Sequence, residues 1–354
     1  MDRHEEALRI LSEGTVIPAT PLALNGKREL DERRQRALIR YYLAAGSGGI
    51  AAAVHTTQFK IRDKGVNLFE TVLRIAQEEI DRYEKETGKV IVRMCGVCGE
   101  EEQAVREAKL AGELGYDAVL LSPGGLEHLT EDELIERTRA VAKLIPVVGF
   151  YLQPSAGGRR LSYAYWEKLC AIDNVVAVKS APFNRYQTID LVRAAALSAR
   201  RDEIALYTGN DDNIVIDLLT KYKFRERGQV FEKRFVGGLL GHWAIWTSSV
   251  VKLFEAIKNL REEETVPSGY LTLAAQITDV NAAVFDVAND FKGCIPGVHE
   301  VLRRQGLLEG TWCIDEEKVL SPGQMKELDR VYAMYPELND DAFIRANLSK
   351  WLAD

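Results

Sequence analysis

Lys179 lies in the segment VVAVKSA, whose β-branched and small residues are typical of a buried strand. Burying an ammonium group without a partner is costly, and desolvation lowers the pKa of a lysine from its ordinary value of ~10.4. A lysine that loses its proton can attack a ketone and form a Schiff base. The position therefore predicts a nucleophilic lysine, and a structural lysine in a buried ion pair is the alternative.

Tyr151 and the pair Thr56-Thr57 would complete the site of such a lysine. Tyr151 ends the apolar segment VVGFY, and its phenol suits a proton relay. Thr56 and Thr57 directly follow the segment GIAAAV, where hydroxyls and backbone N–H groups suit a carboxylate. We therefore assign Lys179, Tyr151 and Thr56 to catalysis and Thr57 to substrate binding. Without Lys179, Tyr151 would fit an aromatic packing residue at a barrel rim better.

Four further residues stand at the ends of predicted strands and are candidates for substrate binding. They are His55, Gly209, Asn210 and His242. The imidazole of His55 titrates near neutral pH, although a histidine held by the backbone fits this position equally well. Gly209 and Asn210 let a ligand approach the backbone or form a tight turn, and Asp211 suits a helix cap or a ligand contact.

Eight short apolar segments alternate with amphipathic ones at intervals of about thirty residues, which is the pattern of repeated βα units. The predicted strands are Thr15–Leu22, Gly49–Val54, Val90–Cys95, Asp117–Ser122, Val147–Tyr151, Val175–Lys179, Ile204–Thr208 and Phe235–Leu240. Eight parallel strands with intervening helices close into a (β/α)8 TIM barrel, whose active sites form at the carboxyl ends of the strands. We therefore predict an α/β fold of this type.

Side chains of one parity on a strand point to the same face of the sheet. We expect the face that carries Lys179 and Tyr151 to line the barrel interior. The residues predicted to point inward on the fifth and sixth strands are Val147, Gly149, Tyr151, Val175, Ala177 and Lys179. The phenol and the amine should therefore meet at one mouth of the barrel.

After the eighth unit, whose helix is predicted at about 248–260, the pattern is helical to the end of the printed sequence. We divide the chain into an N-terminal helix at 1–14, a barrel at 15–261 and an appended helical region at 262–354.

The composition restricts the class of partner. The chain of 354 residues has 46% hydrophobic and 28% charged residues and a net charge of −7, which is typical of a soluble globular protein and argues against nucleic acid or an anionic membrane. No segment approaches the ~18 consecutive apolar residues of a membrane span, and five cysteines without an export signal suggest reduced thiols. We expect a cytoplasmic protein that acts on a small molecule.

Two other features have plainer interpretations. Cys95 and Cys98 have CxxC spacing, but no second pair completes a zinc site, so we expect ordinary thiols and no metal. The segment 221–234 carries six basic and two acidic residues on the side of the barrel away from the predicted site. We expect a solvated helix extension or a subunit contact there rather than an anion site.

Three motifs in a fixed order carry a family resemblance. Thr56-Thr57 after the second strand, YLQP at 151–154 on the fifth and Lys179 on the sixth resemble the dihydrodipicolinate synthase/N-acetylneuraminate lyase family of class I pyruvate aldolases. The resemblance implies that Lys179 forms an imine with pyruvate or a related 2-keto acid, that Tyr151 relays protons, and that the threonines bind the carboxylate. It also implies a homo-oligomer, a dimer or a homotetramer.

Three segments differ from the pattern of that family. HTTQF at 55–59 replaces a GTTGE loop, SPGG at 122–125 stands where the synthases carry a tyrosine pair, and SA at 155–156 stands where they carry an arginine. The nearest arginines, Arg159 and Arg160, are displaced by several positions. These differences argue against dihydrodipicolinate synthase activity itself.

We therefore predict a lyase that holds a 2-keto acid on Lys179 and makes or breaks a carbon–carbon bond, or dehydrates a sugar-acid-derived keto acid. No metal or other cofactor is needed, because the protonated imine is itself the electron sink. One alternative is a family member with reduced catalysis that serves as a keto-acid-binding or regulatory protein. A weaker alternative is a phosphate-binding barrel enzyme.

Overall fold

The computed structural model describes residues 2–353 as a barrel of strands and helices that is followed by further helices. The strands are β1 (Val16–Pro18), β2 (Gly49–Ala52), β3 (Val92–Val97), β4 (Ala118–Leu121), β5 (Val147–Tyr151), β6 (Val175–Ser180), β7 (Ala205–Thr208), β8 (Tyr222–Glu226), β9 (Gln229–Lys233) and β10 (Phe235–Leu240). The helices of the barrel are α1 (Arg3–Glu13), α2 (Glu32–Ala45), α3 (Phe69–Thr87), α4 (Glu101–Glu113), α5 (Glu131–Ala142), α6 (Tyr163–Cys170), α7 (Arg185–Leu197), α8 (Ile214–Leu219) and α9 (Thr247–Leu260). The later helices are α10 (Gly269–Val284), α11 (Cys294–Arg304), α12 (Gln324–Met334) and α13 (Asp341–Trp351).

Eight parallel strands form the barrel in the order β1-β10-β7-β6-β5-β4-β3-β2. The first and last strands of this order, β1 and β2, meet just beyond β1. Ala19 forms a parallel bridge there with Ala51, and the Thr20 N–H donates to the Ala51 carbonyl (3.0 Å). The predicted (β/α)8 barrel with additional C-terminal helices is therefore confirmed.

The N-terminal helix α1 fills the barrel at the amino ends of the strands. Ala7 and Leu11 are buried among the side chains of the barrel interior, and the Tyr207 hydroxyl donates to the Leu11 carbonyl (2.8 Å). Arg3 donates to the buried Asp117 carboxylate, which directly precedes β4 (2.6 Å). The free space in the barrel is therefore at the opposite end, where the strands finish.

The prediction that Val147, Gly149 and Tyr151 face the barrel interior is wrong. The interior cluster instead contains Val148 and Phe150, which have the other parity on β5. Val147 and Tyr151 belong to the layer between the strands and the outer helices. The side chains of β5 that face the interior are therefore those of the opposite parity to the prediction.

The prediction for the sixth strand is partly wrong. Ala177 lies in the interior cluster, and Lys179 lines a cavity at the carboxyl ends of the strands. Val175 packs in the outer layer, because the pairing of β5 with β6 shifts between Val147 and Val148. Such an irregularity breaks the simple alternation of faces along a strand.

The predicted helix extension within 221–234 is also wrong, because this segment forms the β8–β9 hairpin. Glu226 pairs with Gln229 across a turn in which Arg227 (φ 47°) and Gly228 (φ 81°) both have left-handed backbone angles. Such angles suit the two-residue turns that join antiparallel strands.

The C-terminal helices are anchored to the barrel by a buried polar cluster. The Tyr41 hydroxyl donates to Asp340 (2.7 Å), and the same carboxylate accepts the Ser248 N–H (3.0 Å). Within residues 2–353, no helix has both the length and the apolar character that crossing a membrane requires.

Candidate active site

A cavity of about 320 Å³ lies at the carboxyl ends of the barrel strands. Its walls come from the ends of seven of the eight barrel strands and from the segments at 285–295 and around Lys318. The C-terminal region therefore covers part of the barrel mouth. A cavity of this size accommodates a small organic molecule.

Lys179 enters this cavity from β6 and is 8% exposed. Its Nζ atom lies 4.4 Å from the centre of the Phe150 ring, and within residues 2–353 it forms no ion pair. Gly209 leaves room for the lysine chain, since a Cβ atom there would lie 2.4 Å from Lys179 Cε. Burial lowers the pKa of Lys179, which increases the fraction of free amine near neutral pH.

Asp211 reaches the same cavity from the loop after β7 and is 8% exposed. One of its oxygens, Oδ1, accepts the His242 N–H (3.0 Å). Burial raises the pKa of Asp211, while this hydrogen bond and the charge of Lys179 lower it. The helix cap considered for Asp211 is excluded, because α8 begins after Asn213. An acid and an amine with opposing pKa shifts thus share one cavity.

The loop after β2 supplies His55 and Thr56 to the cavity. The His55 ring packs edge-on against Phe59, with 6.0 Å between ring centres. Burial, together with the charges of Lys318 and Lys179, lowers the pKa of His55 to about 4, so this imidazole is neutral near pH 7. The Thr56 hydroxyl donates to the Ala19 carbonyl (2.8 Å).

Tyr151, predicted to be the proton relay, does not line the cavity. Its ring packs against Trp166 of α6, with 4.9 Å between ring centres, and the side chain is fully buried. Its hydroxyl accepts the Leu161 N–H (3.2 Å). Phe150, the preceding residue, occupies the inward position. The interpretation that placed Tyr151 beside Lys179 is therefore wrong.

Thr57 and Asn210, predicted to bind substrate, also point away from the cavity. The Thr57 hydroxyl donates to the Thr20 carbonyl (2.6 Å). The Asn210 amide donates to Asp217 (2.9 Å), and its Oδ1 accepts the Phe183 N–H (3.1 Å). Both side chains instead hold the loops that surround the site.

His242 is a third predicted contact whose side chain lies outside the cavity. Its Nδ1 hydrogen-bonds Oδ1 of Asn281 (2.7 Å), and its ring packs edge-on against Trp246. Burial lowers the pKa of His242 to about 4. Only its backbone reaches the site, through the N–H group that binds Asp211.

Several residues that line the cavity were not predicted from the sequence. These include five phenylalanines, at positions 59, 150, 183, 285 and 291, and the rim residues Asp290, Lys292 and Lys318. Asp211, for which the sequence suggested a helix cap or a ligand contact, does line the cavity. The C-terminal residues carried no local signal, since only tertiary packing brings them to the barrel mouth.

The described residues hold no cluster of three or more His, Cys, Asp or Glu side chains arranged to bind a metal ion. Cys95 is buried on β3, and burial raises its pKa; burial also raises the pKa of Cys98 to about 11. Both groups are therefore protonated thiols near neutral pH.

Comparison with known proteins gives a family match and several relatives. The model of the dihydrodipicolinate synthetase family matches residues 13–221, more than half of the chain. The 4-hydroxy-tetrahydrodipicolinate synthase of Clostridium novyi (strain NT) is 37% identical over 116 residues, which cover 32% of this chain and 37% of that protein. The corresponding synthase of Heliobacterium modesticaldum is 26% identical over 210 residues, 58% of this chain and 65% of that protein. An N-acetylneuraminate lyase of Citrobacter koseri is 26% identical over 209 residues, with the same two shares. The matched stretches thus span less than two thirds of these curated relatives.

Solved structures share the fold over a larger part of the chain. A dihydrodipicolinate synthase from Oceanobacillus iheyensis superimposes with a TM-score of 0.72 at 16% identity, covering 95% of this chain and all of that one. An N-acetylneuraminate lyase from Fusobacterium nucleatum superimposes with a TM-score of 0.69 at 15% identity, covering 92% of this chain and 99% of that one. At these identities the likeness establishes the barrel and the added helices.

Proposed function

The chain belongs to the dihydrodipicolinate synthetase family, and we propose that it is a class I aldolase-type lyase that forms a Schiff base between Lys179 and pyruvate or a related 2-keto acid. One observation carries the proposal: the Lys179 amine is buried in a cavity and has no ion-pair partner among residues 2–353. Such an amine loses its proton more readily than one in water and can act as a nucleophile.

The first step of the reaction joins the amine to the keto acid. The nitrogen lone pair of Lys179 attacks the C2 carbonyl carbon, and the resulting carbinolamine loses water to give a protonated imine. In the cleavage direction, the electrons of the C3–C4 bond move to the imine nitrogen and form an enamine as the aldehyde leaves. Protonation of the enamine at C3 and hydrolysis of the imine then release the keto acid.

These reaction steps need a group that carries protons, and we assign that role to Asp211. It lines the cavity with Lys179, and burial raises its pKa, so that it can hold or release a proton near neutral pH. The His242 N–H bond fixes one carboxyl oxygen. In the cleavage direction Asp211 would take the proton from the C4 hydroxyl as the aldehyde forms.

The carboxylate of the keto acid has two candidate partners in the loop after β2, His55 and Thr56. Both line the same cavity as Lys179, at the carboxyl ends of the strands. The Thr56 hydroxyl now donates to Ala19, so it would have to turn in order to donate to a carboxylate. The neutral His55 ring can donate one hydrogen bond in either of its tautomers.

Dihydrodipicolinate synthase activity itself is not part of this proposal. The guanidinium of Arg159 is bound to the backbone carbonyls of Leu126, Glu127 and Leu129 and does not line the cavity. It therefore cannot take the place of the arginine that the resemblance leads one to expect at Ser155 or Ala156.

Borohydride trapping with mass spectrometry tests the nucleophile. The protein is incubated with a panel of 2-keto acids and sodium borohydride, and the adduct mass and the modified peptide are determined. We expect a pyruvate or related adduct on Lys179 that K179A abolishes. The matched control is K233M, because burial also lowers the pKa of Lys233 while its amine is bound to the Arg201 carbonyl outside the cavity. Adduct formation by K179A at the wild-type level would contradict the proposal.

The alternative of a keto-acid-binding protein with reduced catalysis is favoured by one observation, the absence of the Tyr151 phenol from the cavity. Exchange of the pyruvate methyl protons with deuterated water separates the two functions. Exchange requires an enamine, whereas a protein that only binds the keto acid leaves the methyl signal unchanged. Assembly into dimers or tetramers and a cytoplasmic location stay predictions from the sequence.

A further inference from the structure

The cavity has an apolar side that the proposed Schiff-base chemistry does not use. Phe59, Phe150, Phe183, Phe285 and Phe291 all contribute to its wall. Leu120, Leu152 and Ile295 add aliphatic side chains to the wall. A wall of this kind provides dispersion contacts but no hydrogen bonds.

Phe183 and Phe291 form the part of this wall where the barrel meets the C-terminal region. Phe183 lies just after β6, Phe291 lies between α10 and α11, and their ring centres are 5.7 Å apart at an interplanar angle of 59°. Aromatic rings attract each other in such tilted arrangements. The pair therefore forms an aromatic surface in the same cavity that Lys179 lines.

Both rings are held by backbone that has left-handed angles, with φ of 52° at Phe183 and 63° at Phe291. This region is unfavourable for residues with bulky side chains. The Phe183 N–H donates to Asn210 Oδ1 (3.1 Å), and the Phe291 N–H donates to the Asp286 carbonyl (3.1 Å). Asn210 is thus a positioning residue for the aromatic wall.

The polar side chains of the cavity lie at the reacting end, bind the backbone or are exposed at the rim. Lys179, Asp211 and His55 serve the reacting end in the proposed mechanism. Gln153 binds the Ala156 N–H through its own side chain (2.9 Å). Ser155 and Lys318 are exposed at the rim, and so are Asp290 and Lys292, which flank Phe291; water competes there for their hydrogen bonds and charges. A chain of hydroxyl groups placed against the phenylalanines would find only these exposed partners, and each hydroxyl left unpartnered weakens binding by roughly tenfold or more.

We propose that the half of the substrate beyond the keto acid is an aryl group, which the Phe183–Phe291 pair recognises. In the condensation direction the second substrate is then an aromatic aldehyde, and in the cleavage direction the substrate is a 4-hydroxy-2-keto acid with an aryl substituent at C4. This inference rests on the proposed Schiff-base function. In the condensation the enamine C3 carbon bonds to the aldehyde carbon, the aldehyde oxygen takes a proton, and water releases the product from Lys179.

Two measurements on the full chain test the inference. The first is binding of benzyl alcohol, which cannot form an imine, compared with binding of erythritol, by ligand-detected NMR titration. The second is the ratio of kcat/KM for benzaldehyde to kcat/KM for glyceraldehyde and for succinic semialdehyde, with pyruvate as the common substrate. We expect benzyl alcohol to bind at least about tenfold more tightly than erythritol, and benzaldehyde to be preferred by a similar factor.

The variants F183A and F291A should weaken benzyl alcohol binding and reduce the preference for benzaldehyde, each by up to about tenfold. F291L, which keeps an apolar side chain, serves if F291A does not fold. The matched control is F343A, because Phe343 also belongs to an aromatic pair of the C-terminal region, at 5.5 Å from Trp351, but lies outside the cavity.

Preference for glyceraldehyde or succinic semialdehyde, or benzyl alcohol binding no tighter than erythritol, would overturn the inference. Equal effects of F291A and F343A would do the same. Failure of pyruvate trapping on Lys179 would instead refute the proposed Schiff-base function, and the benzyl alcohol titration would still decide whether the cavity recognises aryl groups.

Discussion

Lys179 and Asp211 reach one buried cavity from the neighbouring strands β6 and β7, and their charges act on each other without an ion pair. Burial lowers the pKa of the amine and raises the pKa of the carboxyl group, so the two values approach each other. Two groups with similar pKa values exchange a proton at little cost in free energy. The pair is therefore suited to proton transfer around a Schiff base.

Asp211→Asn should separate imine formation from turnover. The amide cannot carry a proton, so we expect turnover to fall by about 10²–10⁴, the usual contribution of a general acid–base. Trapping of pyruvate on Lys179 should persist. It should also continue to lower pH than in the wild type, because the Asp211 charge raises the pKa of Lys179. Steady-state kinetics and borohydride trapping across pH measure the two effects.

Asp212→Asn is the matched control for this variant. Asp212 is the next residue, lies 3.8 Å from Arg185 and does not line the cavity. Turnover should stay near the wild-type rate. Equal losses in both variants would show that Asp211 acts through the structure of the loop and not through proton transfer.

Gly209→Ala should displace the nucleophile. The added Cβ atom would lie 2.4 Å from Lys179 Cε and 2.8 Å from the Ala181 Cβ, so the lysine chain must move. A shift of about 1 Å in a reacting group can lower the rate by about 10², and we expect the trapping rate to fall by that order. Gly65→Ala is the control, since an added Cβ there meets nothing within 4 Å. Trapping by the Gly209 variant at the wild-type rate would show that this space is not required.

The sequence allowed the barrel and part of the site to be predicted because both follow from local patterns. Each of the eight predicted apolar segments overlaps a barrel strand, and residues directly after strands reach the mouth of the barrel. His55, Thr56 and Gly209 lie at such strand ends and do line the cavity. Their contribution to catalysis stays a proposal.

The orientation of Tyr151 was not determined by any pattern in the sequence. The segment VVGFY is apolar throughout, as expected for a strand of a parallel sheet that is covered on both faces, so no alternation of polar residues fixes which side faces inward. Two aromatic residues, Phe150 and Tyr151, stand side by side there. Only the packing of Tyr151 on Trp166 and of Phe150 under Lys179 decides between them.

The β8–β9 hairpin had a signal in the sequence that the prediction missed, whereas the contact between Phe183 and Phe291 had none. The β8–β9 hairpin was detectable, because Tyr222 and Phe224 alternate with charged residues before the turn at Gly228. The contact between Phe183 and Phe291 was not, since it joins residues more than a hundred positions apart through tertiary packing alone.

Tyr151→Phe should affect stability more than catalysis. The hydroxyl accepts the Leu161 N–H outside the cavity, so its loss should lower the free energy of unfolding by about 1 kcal/mol. We expect turnover to stay within a few-fold of the wild type. Urea unfolding and steady-state kinetics, with Asp211→Asn measured in parallel, provide the comparison. A loss of turnover as large as that of the Asp211 variant would indicate that Tyr151 acts as the proton relay.

His242 should make the protein less stable in acid. Its pKa falls from 6.5 to about 4 on folding because the ring is buried, so the unfolded chain binds the proton first. The stabilisation from a neutral His242 is fully present above pH 6.5 and is lost as the pH falls from 6.5 towards 4. A shift of this size corresponds to about 3 kcal/mol.

His242→Gln removes this titration. Its free energy of unfolding should therefore depend less on pH between 6.5 and 4 than that of the wild type, by about 3 kcal/mol. Urea unfolding at a series of pH values measures the difference, with the exposed His128→Gln as the control for removing a surface imidazole. Parallel curves for His242→Gln and the wild type would mean that the folded protein accommodates a charged His242, so that the bond to Asn281 and the packing on Trp246 do not exclude the proton.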